Sequence, residues 1–165
     1  MVELRPATEA DAEAMGRVWA SAWRDGHLGL VPEELAEVRT PESFLERAAA
    51  RVADTTVADV DGVLAGFFMV DRDEVEQVFV DAPHRGTGVA AALLAEAERR
   101  VAAAGHPAAW LAVVDGNARA RRFYEKAGWH DAGPFDYAAR DGARTIPVPC
   151  RRYVKDVSGG AAIPR

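Results

Sequence analysis

Residues 78–90 of the chain read VFVDAPHRGTGVA, in which a strand-like run enters a turn with two glycines and continues directly into a helical pattern. In the first turn of a helix the backbone N–H groups have no intrahelical partner, and the aligned peptide dipoles make that end electropositive. Gly86 and Gly88 carry no side chains, so a bulky anion can approach these donors closely. The stretch therefore predicts capture of a phosphate or pyrophosphate, with Arg85 adding a charge-assisted contact. The alternative is an ordinary strand-to-helix turn.

Two known phosphate-binding loops can be compared with this stretch. A P-loop requires Lys and then Ser or Thr after its last glycine, whereas Val89 and Ala90 stand there, so a P-loop is excluded. Residues 86–91 do satisfy the dinucleotide-binding pattern G-x-G-x-x-A. That pattern also needs an acidic residue about 20 positions later, and none stands near residues 106–111. A dinucleotide-binding enzyme is therefore a minor alternative.

Length and composition indicate a single globular domain. The chain has 165 residues, of which 49% are hydrophobic and 28% charged, so it can bury a sizeable core without disulfides or a metal. We expect this domain to span residues 1–157 and to be followed by a flexible tail at residues 158–165.

Charge and targeting signals narrow the partners and the location. The net charge of −6 argues against a basic surface for nucleic acid. No uncharged apolar run approaches the roughly 18 residues of a membrane span, and Glu3 stands where a signal peptide would carry basic and apolar residues. A lone cysteine, Cys150, points weakly to a reducing compartment. These features predict a cytosolic protein with no membrane or nucleic-acid partner.

Hydrophobic periodicity predicts an α+β fold with the element order βααβββαβαββ and one mixed, mostly antiparallel sheet flanked by helices. Asp61-Gly62 between two apolar runs predicts a two-residue hairpin, and Thr40-Pro41 predicts the start of a helix. Residues 25–35 are interpreted as a loop or broken helix. On the fourth strand we expect Glu74 and Glu76 to share one face with Val78 and Val80.

Two motifs on consecutive helices resemble one enzyme family. Arg85-x-x-Gly88-x-Ala90 matches the R/Q-x-x-G-x-G/A acetyl-coenzyme A loop of the GCN5-related N-acetyltransferases, the GNAT superfamily. Residues 117–129, NARARRFYEKAGW, resemble that family's N-x-x-A-x-x-F-Y-E-K-x-G-F. An apolar strand separates the two helices, as it does in the family. Each motif is weak by itself, but the two in this order are a strong signal.

The resemblance implies acetyl-CoA as co-substrate and no metal. In the family, the strands that correspond to residues 74–80 and 110–114 splay apart, and the pantetheine arm pairs with the backbone of Val78 and Val80 like an added strand. An amide near Val78 would polarise the thioester carbonyl and stabilise the developing oxyanion. The cofactor-binding positions implied in this way are Val78, Phe79, Val80, Arg85, Gly86, Thr87, Gly88, Val89, Ala90, Asn117 and Phe123.

The resemblance also assigns the catalytic groups. Tyr124 is expected to protonate the departing thiolate, because a phenol within hydrogen-bond reach of the sulfur can donate to it. The alternative is a tyrosine that only fills space beside Phe123. An ammonium acceptor must also lose a proton, and we expect Glu76 to accept it, with Glu74 or a water molecule as alternatives.

The resemblance also implies that the acceptor amine binds between the first helices and the last hairpin. The candidate substrate-binding residues are Trp23, His27, Glu74 and Tyr137, with Trp19 and Phe135 as further possibilities. Ala112 stands where some peptide N-terminal acetylases of the family carry glutamate, which argues against that particular chemistry. The histidines show no metal-ligand spacing, and Cys150 is interpreted as inert.

These observations predict an acetyl-CoA-dependent N-acetyltransferase that moves an acetyl group to a primary amine of a small molecule or peptide. The amine would attack directly in a ternary complex, without an acetyl-enzyme. The alternative is a non-catalytic acyl-CoA-binding or sensing module on the same fold. A homodimer is possible.

Overall fold

Seven strands form one sheet in the order β1-β2-β3-β4-β5-β7-β6 in the computed structural model, which describes residues 1–161. All neighbouring strands are antiparallel except β4 and β5, which are parallel. The predicted α+β class with a mixed, mostly antiparallel sheet is therefore confirmed. The strands are β1 (Val2–Pro6), β2 (Thr55–Val60), β3 (Val63–Asp71), β4 (Glu74–Val80), β5 (Ala108–Val114), β6 (His130–Asp141) and β7 (Arg144–Asp156).

The α-helices within residues 1–161 are α1 (Ala12–His27), α2 (Glu33–Val38), α3 (Pro41–Ala50), α4 (Val89–Ala103), α5 (Ala118–Lys126) and α6 (Ser158–Ala161). Buried side chains form two clusters, one containing residues of α4 and the other residues of α1 and α3. Phe68 belongs to the first cluster and its neighbour Phe67 to the second. Because successive strand residues point to opposite faces, the two clusters cover opposite faces of the sheet.

The predicted element order lacked two helices. Residues 25–35 were expected to be a loop or broken helix; in the structure α1 continues to His27 and a separate short helix, α2, begins at Glu33, with acidic residues in its first turn and Leu35 buried. At the C-terminal end, α6 covers Ser158–Ala161, part of the predicted tail. It follows two backbone bonds, from the amides of Val157 and Ser158 to the Pro107 carbonyl. Residues 162–165 of that tail lie outside the described residues.

Local signals placed one hairpin turn and one helix start correctly. Asp61 and Gly62 have φ angles of 52° and 83°, the left-handed pair that a tight hairpin turn requires. The Thr40 side chain accepts a hydrogen bond from the Ser43 amide and caps α3. No helix of the described residues is long and apolar enough to cross a membrane.

A β-bulge interrupts β4 at Glu76. Met69 of β3 lies opposite Gln77, and the next residue, Val70, lies opposite Val75, so Glu76 is the extra residue. The expectation that Glu74 and Glu76 share a face with Val78 and Val80 is wrong. Val78 and Val80 pack with the α4 cluster, whereas both glutamates face the side of α1 and α3, because the bulge shifts the alternation of side chains.

Strands β4 and β5 meet at one point only among the described residues. Their register consists of the pair Glu74 and Trp110, supported by a hydrogen bond from the Trp110 amide to the Asp73 carbonyl (3.0 Å). Beyond this pair the strands diverge. On the other side of β4 the Asp81 amide donates to the Ala65 carbonyl of β3. Since backbone groups alternate along a strand, those of Val78 and Val80 point into the gap beside β5.

Candidate active site

The loop between β4 and α4 is open on its outer side. Gly86 and Gly88 have φ angles of 76° and 91°, so both occupy the left-handed region that favours glycine. A Cβ built on either would meet nothing within 4 Å. The loop is held from within, because Thr87 donates its hydroxyl to the His84 carbonyl and Asp81 accepts from the Ala82 amide. The two glycines therefore serve the backbone conformation and also leave space for a ligand.

The first turn of α4 offers backbone donors to that space. Gly88 is the N-cap of this 15-residue helix, and the first internal bond runs from the Ala92 amide to the Gly88 carbonyl. The amides of Val89 and Ala90 thus have no partner within the helix, and no acidic residue stands in its first turn. Such an arrangement suits a phosphate or pyrophosphate group. Arg85, in contrast, pairs with Asp25 at the end of α1 (2.7 Å).

Three further positions predicted to bind the cofactor have structural contacts of their own. The Asn117 side chain accepts from the Ala120 amide (3.2 Å) and caps α5. Phe123 packs against the α4 cluster beside Tyr124, with 5.2 Å between ring centroids. The Phe79 ring lies among the rings of α1, and alternation turns its backbone groups towards β3 and away from the gap.

Tyr124 lies on the α4 side of the sheet. Its ring contacts those of Phe123, Trp129 and Tyr153. Burial raises the pKa of Tyr124 to about 12, so the phenol is protonated at neutral pH. Within residues 1–161 its hydroxyl makes no hydrogen bond, yet no fully buried side-chain polar atom there lacks a partner. The Tyr124 hydroxyl is therefore not completely buried, and its proton is free for a new acceptor.

A cavity of about 480 Å³ lies on the opposite face, between α1, α3, β4 and β6. It brings together the whole predicted substrate-binding set with the predicted base: Trp23, His27, Glu74, Glu76 and Tyr137. Ala112 of β5 and Trp19 line it as well. The structure does not bring Tyr124 into this cavity. The cavity borders the gap between β4 and β5 from this face, because Gln77 of β4 and Ala112 of β5 line it.

The two glutamates have different partners in the cavity. Glu74 accepts a hydrogen bond from the Tyr137 hydroxyl (2.8 Å), and burial raises the pKa of Glu74 above its usual value. Glu76 forms an ion pair with Arg51 (2.6 Å), which also contacts Asp54. Glu76 is therefore held by a fixed guanidinium, whereas Glu74 has only a neutral donor.

His27 contributes a neutral ring. Burial lowers the pKa of His27 to about 4, so the imidazole is uncharged at neutral pH. Its ring stacks on Trp23 with 5.0 Å between centroids, and Nδ1 lies 3.0 Å from the Trp23 carbonyl oxygen. Since that oxygen can only accept, Nδ1 carries the proton and Nε2 is left as an acceptor.

Sequence reasoning missed the basic residues of the cavity. Arg39, Arg47 and Arg51 all line it, together with Ser43. A signal was available, because Ser43, Arg47 and Arg51 follow one another at i, i+4 spacing and so lie on one helix face.

The described residues form neither a candidate metal site nor a reactive thiol. The structure holds no group of three or more His, Cys, Asp or Glu side chains suited to a metal within the residues it describes. Cys150 is buried, and burial raises the pKa of its thiol to about 11. Few thiolates form at neutral pH under these conditions.

Comparison with protein families supplies the assignment. The model of the acetyltransferase (GNAT) family matches residues 12–129, which include both motifs and the gap between β4 and β5. The chain belongs to the GNAT family. Acetyl-CoA is the acetyl donor of this family, as the two motifs implied. The dinucleotide-binding alternative is wrong, because that fold needs several parallel strands around its crevice and this GNAT sheet has one parallel pair.

Solved structures share the GNAT fold over nearly the full chain. A GCN5-related N-acetyltransferase from Rhodopseudomonas palustris, also described as a class-II aminotransferase, is 21% identical, with a TM-score of 0.77 and coverage of 93% of this chain and 94% of that one. PaiA N-acetyltransferase from Thermoplasma acidophilum, in complex with coenzyme A, is 20% identical (TM-score 0.66; 94% and 99% covered). YncA from Salmonella typhimurium, a putative acetyltransferase with acetyl-CoA, is 17% identical (TM-score 0.66; 95% and 94% covered). No curated protein sequence matches this GNAT chain.

Proposed function

We propose that this GNAT protein is an acetyl-CoA-dependent N-acetyltransferase that acetylates a primary amine of a small molecule or peptide. The observation that carries the proposal is the gap between β4 and β5. One end of it faces the glycine loop and the bare first turn of α4, and its other side faces a cavity with two carboxylates. Structures of the same fold with coenzyme A or acetyl-CoA, PaiA and YncA, support it.

Acetyl-CoA supplies an activated acyl group in the form of a thioester. The amides from Gly86 to Ala90 would bind its pyrophosphate, and the open space beside Gly86 and Gly88 fits so large an anion. The backbone groups of Val78 and Val80 would hold the pantetheine arm, since they point into the gap and have no ladder with β5 there. The amide of Val78 would also polarise the acyl carbonyl.

The acceptor would bind in the cavity and lose its proton there. Glu74 and Glu76 attract an ammonium group, and one of them would accept its proton before attack. The sequence favoured Glu76 as the general base, whereas the contacts in the cavity favour Glu74. The raised pKa of Glu74 brings it closer to the pKa of the proton donor, whereas Glu76 is tied to Arg51. Direct attack in a ternary complex then needs no nucleophile from the protein.

The proposal is tested by free thiol release from acetyl-CoA with a panel of primary amines. We expect release that depends on the acceptor and an acetylated amine in equal amount by mass spectrometry. Binding of acetyl-CoA without release across the whole panel supports the non-catalytic acyl-CoA-binding module. Absence of acetyl-CoA binding contradicts both functions.

The pH dependence of kcat/KM distinguishes the two glutamates. A general base works only when ionised, so activity falls as pH drops through its pKa. We expect a wild-type acidic limb above the usual pKa of glutamate, because burial raises the pKa of Glu74. Glu74→Gln should remove this limb and lower kcat about 100-fold. Glu76→Gln is the matched control and should keep the limb; the reverse pattern assigns the base to Glu76, and a limb kept in both points to water.

Two further sequence predictions stand beside this function. The cytosolic location and the homodimer stay predictions. Size-exclusion chromatography with light scattering measures the second.

A further inference from the structure

We propose that the acceptor carries a carboxylate in addition to its amine, and that Arg47 with Arg39 binds that carboxylate in the cavity of α1, α3, β4 and β6. The substrate class is thus a free amino acid or a similar short zwitterion. This inference rests on the proposed N-acetyltransferase function and narrows its acceptor.

Arg47 is a half-buried cation that forms no ion pair within residues 1–161. It projects from α3 into the cavity, and its guanidinium lies 4.7 Å from the centroid of the Trp19 ring. No carboxylate lies within 4.0 Å of it, and it donates no hydrogen bond, in the part of the chain that the structure describes. Burial, with neighbouring Arg39 and Arg51, outweighs the opposing effect of the Glu76 carboxylate and lowers the pKa of Arg47 to about 10. A charged side chain held in this way gains from an anionic partner.

Arg39 adds a second donor at the same wall. Its guanidinium donates to the Arg140 carbonyl (2.7 Å), and it has no carboxylate within ion-pair distance among residues 1–161. Burial lowers the pKa of Arg39 as well. Two such guanidinium groups can accommodate a carboxylate, because their planar forks match its two oxygens.

The acidic residues of the cavity are already engaged or stand at its rim. Glu76 binds Arg51, Glu74 accepts from Tyr137, and Asp141 pairs with Arg144 (2.8 Å). Glu46 is exposed. The cavity of this acidic protein therefore has two arginines without ion pairs in the described residues, Arg39 after α2 and Arg47 on α3, and carboxylates at β4. That polarity matches a zwitterion whose amine faces β4 and whose carboxylate faces α3.

Arg47 lies about one helical turn before Arg51, the C-cap residue of α3, and the Arg51 guanidinium contacts Glu76. The cationic and acidic ends of the site are therefore close together. A short acceptor, with its amine and carboxylate a few bonds apart, suits this spacing better than a long polyamine.

The test compares free L-amino acids with their α-amides and decarboxylated amines in the thiol-release assay. We expect the best amino acid to exceed its amide at least 10-fold in kcat/KM. Arg47→Gln should raise KM for that amino acid about 10- to 100-fold, and change KM for its amide less than about threefold, because a hydrogen bond to a charged group is worth about 1.5–3 kcal/mol. Arg100→Gln removes one charge from the exposed side of α4, where Arg100 pairs with Glu96, and should change neither KM.

A measurement on the wild-type protein keeps the inference testable if Arg47→Gln does not fold. The des-amino carboxylic acid of the best acceptor should inhibit competitively with it. Amides that react as well as the acids, equal losses for both with Arg47→Gln, or no inhibition by the carboxylic acid overturn the inference. In each of these cases amines are still acetylated, so failure of the N-acetyltransferase function itself is recognised separately, by absence of thiol release with every acceptor.

Discussion

Tyr124→Phe is expected to lower kcat at least about 100-fold while the KM for acetyl-CoA changes little. The Tyr124 hydroxyl is protonated at neutral pH and has no hydrogen-bond partner within the described chain, so it is available to the departing thiolate. Phenylalanine keeps the ring contacts with Trp129 and Tyr153 and removes only the donor. Steady-state kinetics with a verified acceptor measures the effect.

Tyr153→Phe is the matched control for this substitution. The Tyr153 hydroxyl accepts from Arg121 (3.1 Å) and donates to Glu125 (2.7 Å), so its removal should lower the free energy of unfolding by about 1 kcal/mol. Tyr124→Phe removes no such bond and should leave the melting temperature near that of the wild type. Unchanged kcat in Tyr124→Phe would mean that the ring serves packing alone.

Gly88→Val is expected to weaken acetyl-CoA binding at least about 10-fold. Gly88 has a φ of 91°, which a β-branched residue strongly disfavours, so the N-cap of α4 must change its backbone conformation. The first-turn amides then lose their common direction, and the new side chain occupies space that the anion needs. Isothermal calorimetry with coenzyme A measures the loss.

Gly105→Val separates this effect from strain in general. Gly105 has a φ of 95°, and a Cβ there would meet nothing within 4 Å, as at Gly88, but it lies after the opposite end of α4. Both variants should lower stability by about 1–2 kcal/mol. We expect only Gly88→Val to lose affinity; an equal loss in Gly105→Val would contradict a phosphate site at the loop.

The parts of this fold that depend on residues adjacent in sequence could be predicted from the sequence. Asp61-Gly62 specifies its turn through backbone conformation, and Thr40 specifies a helix start through its own side chain. The loop at Gly86 and Gly88 was recognised for the same reason, since the conformation and the unpaired donors belong to a contiguous stretch. The four substrate-binding candidates also proved to share one cavity.

Features that arise from pairing across the sheet or from contacts between distant elements could not be predicted from the sequence. The bulge at Glu76 is a mismatch of register with β3, and a single strand's pattern cannot show it. It decided which face the glutamates occupy. The ion pair of Glu76 with Arg51 joins residues 25 positions apart, and the cavity that Arg47 lines is formed by residues distant from it in sequence. Such contacts are set by tertiary packing rather than by local propensity.

The single pair that joins β4 to β5 leaves two half-sheets, β1–β4 and β5–β7, with little direct attachment along their shared edge. A ligand that lies in the gap and bonds to the backbone on one side would fasten one half to the other. Occupancy should thus raise the melting temperature with ligand concentration and slow amide hydrogen exchange in β5 as well as β4. Without ligand the two half-sheets would move more freely relative to each other. Each catalytic cycle would therefore join them on binding and release them again with the product.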